Sequence, residues 1–292
     1  MKEKLRVLGI YRLPLFSNNA IEADRLILEE SMKALQTRVN FPLEIDFIEE
    51  PEIEKIQKPY HLVLTMAQSQ KALADLESKK HLLPNIWNSI DAVRNCYRAT
   101  MSHKLEKAGV GYAPFSLLTT NSNLADYIEP GASYWMKRGD FHAISDADVS
   151  LAENLEEAKL KMAHFVKQDI PEVILQKHIP GDIYKFYGVN GDFFTTIRVR
   201  KMLPTEIDLN RAELKEKSSQ AAKLMGLQIY GGDAIIDEKG KIHLIDVNDW
   251  PSFRICREEA AAAIGAYAAL HLQEVVLEIE KSAKESVTNV MA

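Results

Sequence analysis

Apolar residues along this chain recur at two periods, one near 3.6 and one near 2, and the alternation between them outlines the fold. Residues 5–11 form a near-continuous apolar run, as a buried strand does. Positions 22–35 repeat at helical spacing, 43–48 alternate, 61–65 are a short apolar run, and 70–79 are again helical. This β-α-β-β-α order predicts a small α/β lobe with a partly parallel sheet, to which 84–88 add a strand running into a turn. One or two helices follow, the last stopping at Gly109. Residues 133–137 and 142–145 are expected to pair around Arg138-Gly139-Asp140. A helix over 154–168 has Asn154 as its N-cap. Three strands at 173–179, 184–189 and 193–200 are separated by Pro180-Gly181-Asp182 and Asn190-Gly191-Asp192, both turn sequences. A helix over 211–225 ends at Gly226. Strands at 234–236 and 242–247 then flank the polar turn 237–240, and a helix over 258–284, interrupted near Gly265, closes the chain.

At 292 residues the chain is long enough for two or three fused lobes, and its 46% hydrophobic and 27% charged content is that of a soluble globular protein. The net charge of -6 argues against nucleic acid or an anionic membrane as partner. Cys96 and Cys256 are far apart and lack metal-ligand spacing, which suits a reducing cytoplasm. The N-terminus runs into a strand without a signal-peptide core. The apolar stretch 260–277 is interrupted by Gly265, His271, Gln273 and Glu274, so it reads as amphipathic rather than membrane-spanning.

The chemistry concentrates in the last hairpin. Asp233 opens its first strand, while Asp246 and Asn248 sit two apart at the end of the second, on one face. An antiparallel return can bring Asp233 beside them. Three hard oxygen donors at one spot suit Mg²⁺ shared with substrate phosphates, although Asp-x-Asn at a strand end also serves to cap turns. Lys137 ends an apolar strand and can neutralise phosphate oxygens. Gln176-Lys177-His178-Ile179 runs from a strand into a turn, where backbone groups can read a base edge. Lys185 is a charge in an apolar strand, so it calls for an anion if buried. Arg198 and Arg200, at period two, are expected on one strand face, where they could hold a carboxylate or a developing charge. Arg98 is a further basic candidate. There is no Walker A, GxGxxG, HExxH or Ser-His-Asp pattern.

In order and spacing these segments resemble the ATP-grasp superfamily over roughly 88–252, in particular the carboxylate–amine ligases built like glutathione synthetase. The resemblance implies an α+β, ATP-grasp fold behind an N-terminal α/β lobe, with divisions at 1–87, 88–178 and 179–292. It implies that Arg98 and Lys137 contact nucleotide, that residues 176–179 read adenine, and that Lys185 holds phosphate. Asp233, Asp246 and Asn248 match metal ligands for one or two Mg²⁺ ions, or Mn²⁺. The glycine-rich phosphate loop of the superfamily is missing. The short Lys137-Arg138-Gly139-Asp140-Phe141-His142 segment in its place points to Arg138 or His142 near the phosphates. The implied activity is an ADP-forming ligase joining a carboxylate to an amine or thiol, with an inositol phosphate kinase-like transfer to a hydroxyl as the alternative. The acceptor is a small molecule, with selection in the N-terminal lobe and in loops 13–19 and 205–210, and a homo-oligomer is compatible with all of this.

Overall fold

The computed structural model describes residues 4–17, 19–141, 145–190 and 193–291. Inter-residue contacts divide the chain into two compact units: Met1–Ile90 with Val189–Phe193 and Ser252–Ala292, and Asp91–Gly188 with Phe194–Pro251.

The first unit is built on a four-stranded parallel sheet of β1 (Leu5–Tyr11), β2 (Leu43–Glu49), β3 (Leu62–Thr65) and β4 (Ile86–Trp87), in the order β2-β1-β3-β4. Val7, Leu8, Ile10, Val63 and Leu64 are fully buried, as expected of strands covered on both sides. The helix α1 (Ile21–Gln36) follows β1, and α2 (Gln70–Ser78) begins at Ser69, whose hydroxyl caps the Ala72 N–H at 3.1 Å.

The second unit begins with α3 (Ile90–Asn95) and α4 (Arg98–Ala108). Gly109 stops α4 in the left-handed region (φ 67°), as its sequence position predicts. An antiparallel sheet of order β5-β8-β6-β7 follows, from β5 (Phe115–Thr119), β6 (Tyr134–Arg138), β7 (Val149–Ala152) and β8 (Glu172–Lys177). One face is covered by α5 (Leu155–Lys167), whose Ala158, Met162 and Phe165 pack on Met136, Val173 and Leu175. The Asn154 side chain caps this helix on the Glu157 N–H at 3.0 Å. The second sheet, of order β10-β9-β11-β12, contains β9 (Gly181–Val189), β10 (Phe194–Arg200), β11 (Ile229–Asp237) and β12 (Ile242–Asp249). The helix α6 (Arg211–Met225) joins α4 in its core, with Leu214, Ala222 and Met225 against Met101, Leu105 and Leu244.

Two expectations are corrected here. The partner of β6 is β7, at 149–152, rather than 142–145; residues 142–144 lie outside the described residues, and Ser145 opens a 3₁₀ turn through a capping box with Asp148. Residues 115–119 form β5 by pairing with β8. The closing helix α7 (Arg257–Met291) runs unbroken through Gly265. A Cβ at Gly265 would lie 2.6 Å from the Ala34 Cβ, so the glycine serves close α1–α7 contact rather than a break. The helix belongs to the first unit, where Ala260, Ile264, Ala268 and Leu272 are buried. Among the described residues one helix segment, Arg257–Ser282, is long and apolar enough by composition to cross a membrane.

Candidate active site

The hairpin of β11 and β12 carries the acidic centre. Its register sets Asp233 directly opposite Asp246, and Asn248 opposite Gly231, so the three side chains share one sheet face. A β-bulge follows this pair: Asp233 faces Asp246, but Ala234 faces Leu244, leaving Ile245 as the extra residue. The bulge lets Ile245 line a cavity beside the two carboxylates. Gly232 is required in the hairpin, because a Cβ there would fall 2.2 Å from the Asp246 carbonyl oxygen.

Two carboxylates directly opposite each other repel, and cations answer the repulsion. The Lys185 Nζ, from β9, lies 2.8 Å from Asp233 Oδ1. Burial disfavours the lysine charge, but the carboxylate beside it prevails and holds Lys185 above the usual lysine value. Burial also raises the Asp233 carboxyl, and Lys185 offsets this only in part. Arg98, 4% exposed at the first residue of α4, brings its Nη2 to 3.5 Å from Asp246 Oδ2 and donates from Nη1 to the Arg138 carbonyl at 3.0 Å.

Lys137 is 6% exposed at the end of β6. Its Nζ donates to Gln176 Oε1 at 2.7 Å and to the Ile245 carbonyl at 3.2 Å, bridging the two sheets of this unit. Burial, then the nearby Arg98 charge, pushes Lys137 down to about 8, against the smaller pull of Asp246 and Asp233. Behind it the Tyr112 hydroxyl meets Ser102 Oγ at 3.0 Å, and burial together with Asp246 raises Tyr112 to about 12.

A cavity of about 160 Å³ opens beside Lys137, walled by Ala113, Trp135, Ile179, Ile183, Ile235 and Ile245. Its walls are mainly apolar, and the polar residues that line it are Lys137, Gln176 and Lys177. Period-two spacing from the charged residues marks much of this wall: Trp135 is two before Lys137, Ile183 two before Lys185, and Ile235 two after Asp233. Ile245 escapes that rule because it is the bulged residue.

Three other candidates are engaged with protein partners. Arg138 is held by both Asp140 oxygens, at 2.9 and 3.0 Å, and by Asp148 at 3.4 Å. Lys177 is exposed and paired with Glu129 at 2.6 Å. His178 accepts from Trp135 Nε1 at 3.1 Å, and burial lowers its basicity. His142 lies outside the described residues.

Arg198 and Arg200 do not share a face. A second bulge falls between them, with Arg198 opposite Tyr184 and Arg200 opposite Ile183. Arg198 therefore lies on the side of Asp182, which it meets at 3.2 Å, and also pairs with Glu206. Arg200 lies on the side of Ile183 and Lys185. No feature of the sequence marks this bulge, since Val199 suits an unbroken strand.

The donors at the acidic centre fit a hard divalent cation: two carboxylates and a carboxamide on one face, with cations already compensating them. Among the described residues no three His, Cys, Asp or Glu side chains gather into a metal-binding group; the acidic centre offers two carboxylates and the Asn248 carboxamide.

No protein-family profile and no curated protein sequence matches the chain. Solved structures do. A D-alanyl-alanine synthetase A from Vibrio cholerae superposes with a TM-score of 0.70 at 11% identity, over 94% of this chain and 99% of its own. A D-cycloserine synthetase gives 0.66 at 15% identity, over 92% and 99%. A D-alanine–D-alanine ligase from Bacillus anthracis in complex with ATP gives 0.66 at 16%, over 97% and 100%. The likeness spans both chains nearly end to end and shows the fold: this is the ATP-grasp fold.

Proposed function

We propose, from the ATP-grasp fold and the charged corner beside an apolar cavity, that the protein is an ATP- and Mg²⁺-dependent ligase that joins a carboxylate to an amine or thiol. The observation that carries this reading is the joining of opposite demands in one sheet-to-sheet gap. An apolar slot suits a nucleobase, the adjacent buried lysine suits phosphate oxygens, and the facing carboxylates suit the cation that accompanies a triphosphate.

In this reading the base enters the slot between Trp135, Ile179 and Ile183, against the backbone of 177–179. Lys137, Lys185 and Arg98 hold phosphate oxygens, with Lys185 exchanging its Asp233 contact for them. Asp233, Asp246 and Asn248 would hold Mg²⁺, which would supply charge neutralisation to the triphosphate. An acceptor carboxylate oxygen attacks the γ-phosphorus and ADP leaves, giving an acylphosphate. An amine or thiol then attacks the acyl carbon, phosphate departs, and the nucleophile's proton passes to solvent or to the departing phosphate. Arg200, on the Ile183–Lys185 side of its strand, is our candidate for binding the acceptor's carboxylate or the developing oxyanion. Arg198, committed to Asp182 and Glu206, is assigned to the scaffold. Arg138 and Lys177, paired with acidic side chains, are left outside the phosphate set.

The named neighbours act on D-alanine or make D-cycloserine, so small amino acids of both hands are the first acceptors to try. Incubation with ATP, Mg²⁺ and such a panel should release ADP and free phosphate together with a condensed product. Phosphate retained on a hydroxyl acceptor would instead establish a kinase, and no Mg·ATP binding by calorimetry would sink the nucleotide reading.

A further inference from the structure

The side chain of Gln176 is spent on something other than the base. It is 2% exposed at the end of β8, diagonally across the sheet from Lys137, since Trp135 faces Gln176 and Lys137 faces Ile174. Its Oε1 accepts from Lys137 Nζ at 2.7 Å, and its Nε2 donates to the Ala113 carbonyl at 3.3 Å. These partners have opposite polarity, so the amide has one orientation: only its oxygen can meet an ammonium, and only its nitrogen can meet a carbonyl. Ala113 is fixed in turn, because its N–H bonds the Leu244 carbonyl at 2.9 Å in the neighbouring sheet.

The consequence falls on Lys137. Its two protein acceptors, Gln176 Oε1 and the Ile245 carbonyl, are both neutral, and two acceptors leave one of three N–H bonds over, on a side chain that lines the cavity. Lys185 makes the contrast, because its charge is already met by Asp233 at 2.8 Å. The charges that face Lys137 are Arg98 from α4, Asp246 from β12 and Asp233 from β11; β8 contributes none at this contact. A carboxylate in place of the Gln176 amide would sit in direct contact with the ammonium and cancel its charge before any anion arrived.

We infer that Gln176 is a positioning residue: it aims Lys137 into the cavity while leaving the ammonium charge uncompensated for an incoming anion. That the anion is a nucleotide phosphate rests on the function proposed above.

The experiment compares Gln176→Glu, Gln176→Met and the gentler Gln176→Asn, which keeps the amide but shortens it, with the wild-type chain. Without nucleotide, the Lys137 side chain is titrated by ¹³C/¹⁵N NMR, its signal identified by its loss in Lys137→Arg. The wild-type midpoint is expected at about 8, and Gln176→Glu should move it up by about one pH unit or more through the new charge contact. An unmoved midpoint overturns the inference. With Mg·ATP at pH 7, calorimetry should show at least about tenfold weaker binding for the Glu and Met variants and a smaller loss for Asn, at unchanged secondary structure. Wild-type affinity in Gln176→Met also overturns it. A wild-type chain that binds no Mg·ATP defeats the nucleotide reading, while the NMR titration decides the Gln176–Lys137 relation independently.

Discussion

Asp246 carries more of the proposed chemistry than any other side chain, because it faces Asp233, approaches Arg98, and lies two residues from Asn248. Asp246→Asn keeps the shape and removes the charge. It should leave the melting temperature nearly unchanged and cut ATP-dependent turnover by about 100-fold or more, measured as phosphate release; full activity would refute the cation assignment. Lys137 gives a prediction with a sign. Its folded value, about 8, lies below its ordinary value of 10.5, so the charged form is penalised in the empty site. That penalty is full below pH 8 and shrinks as pH rises toward 10.5, so through this group the empty protein gains stability over that window. A phosphate would favour the charged form. Mg·ATP binding at pH 9 should therefore take up a proton and be weaker than at pH 7, read by calorimetry in buffers of different ionisation enthalpy. At this scale the sequence was informative: Asp233, Asp246, Lys137 and Lys185 stand out as charges at period-two positions in apolar strands. Their pairing partners did not, because the Gln176–Lys137 and Lys185–Asp233 contacts join residues tens of positions apart.

At the scale of elements, β10 shows how one residue re-aims a strand. Because the bulge parts the two arginines, Arg200→Ala should raise the acceptor KM by about tenfold or more with little change in stability. Arg198→Ala should do the reverse. Arg198 works with Asp182, a buried carboxylate that also accepts the Met202 and Leu203 N–H groups at 2.7 and 2.9 Å and so ties the segment after β10 to the start of β9. Burial alone would raise Asp182, but these donors outweigh it and hold the carboxyl below its ordinary value of 3.8. Its stabilisation is thus full above pH 3.8 and is lost as pH falls through the lower folded value. Asp182→Ala should lower the melting temperature by roughly 5 °C at pH 7, with the gap narrowing in strong acid. The α1–α7 contact supplies a second test in the other unit. Gly265→Val adds bulk where even a Cβ would lie 2.6 Å from Ala34, and should cost about 1–3 kcal/mol in chemical denaturation.

For the molecule as a whole, ligand linkage offers the broadest check. Mg·ATP at about 100 times its Kd should stabilise the protein by about 2.7 kcal/mol. Hydrogen-exchange protection should rise in β6, β8, β9 and β12, the strands that carry the proposed contacts. The hydrophobic periods determined nearly every element, since a half-buried strand or helix must repeat its apolar residues at its own geometric period. Caps and glycine stops at Asn154, Gly109 and Gly226 followed from local backbone chemistry, and the Asp233–Asp246–Asn248 face followed from the hairpin itself. Tertiary structure alone decided the rest. Periodicity is silent on a single inserted residue, so the bulges at Ile245 and between Arg198 and Arg200 appear only once strands pair. A glycine's helical cost is visible in sequence, whereas its use at Gly265 depends on a neighbouring helix more than 200 residues away. The lowered Lys137 and its Gln176 support arise from burial between two sheets, a desolvation that no stretch of sequence contains.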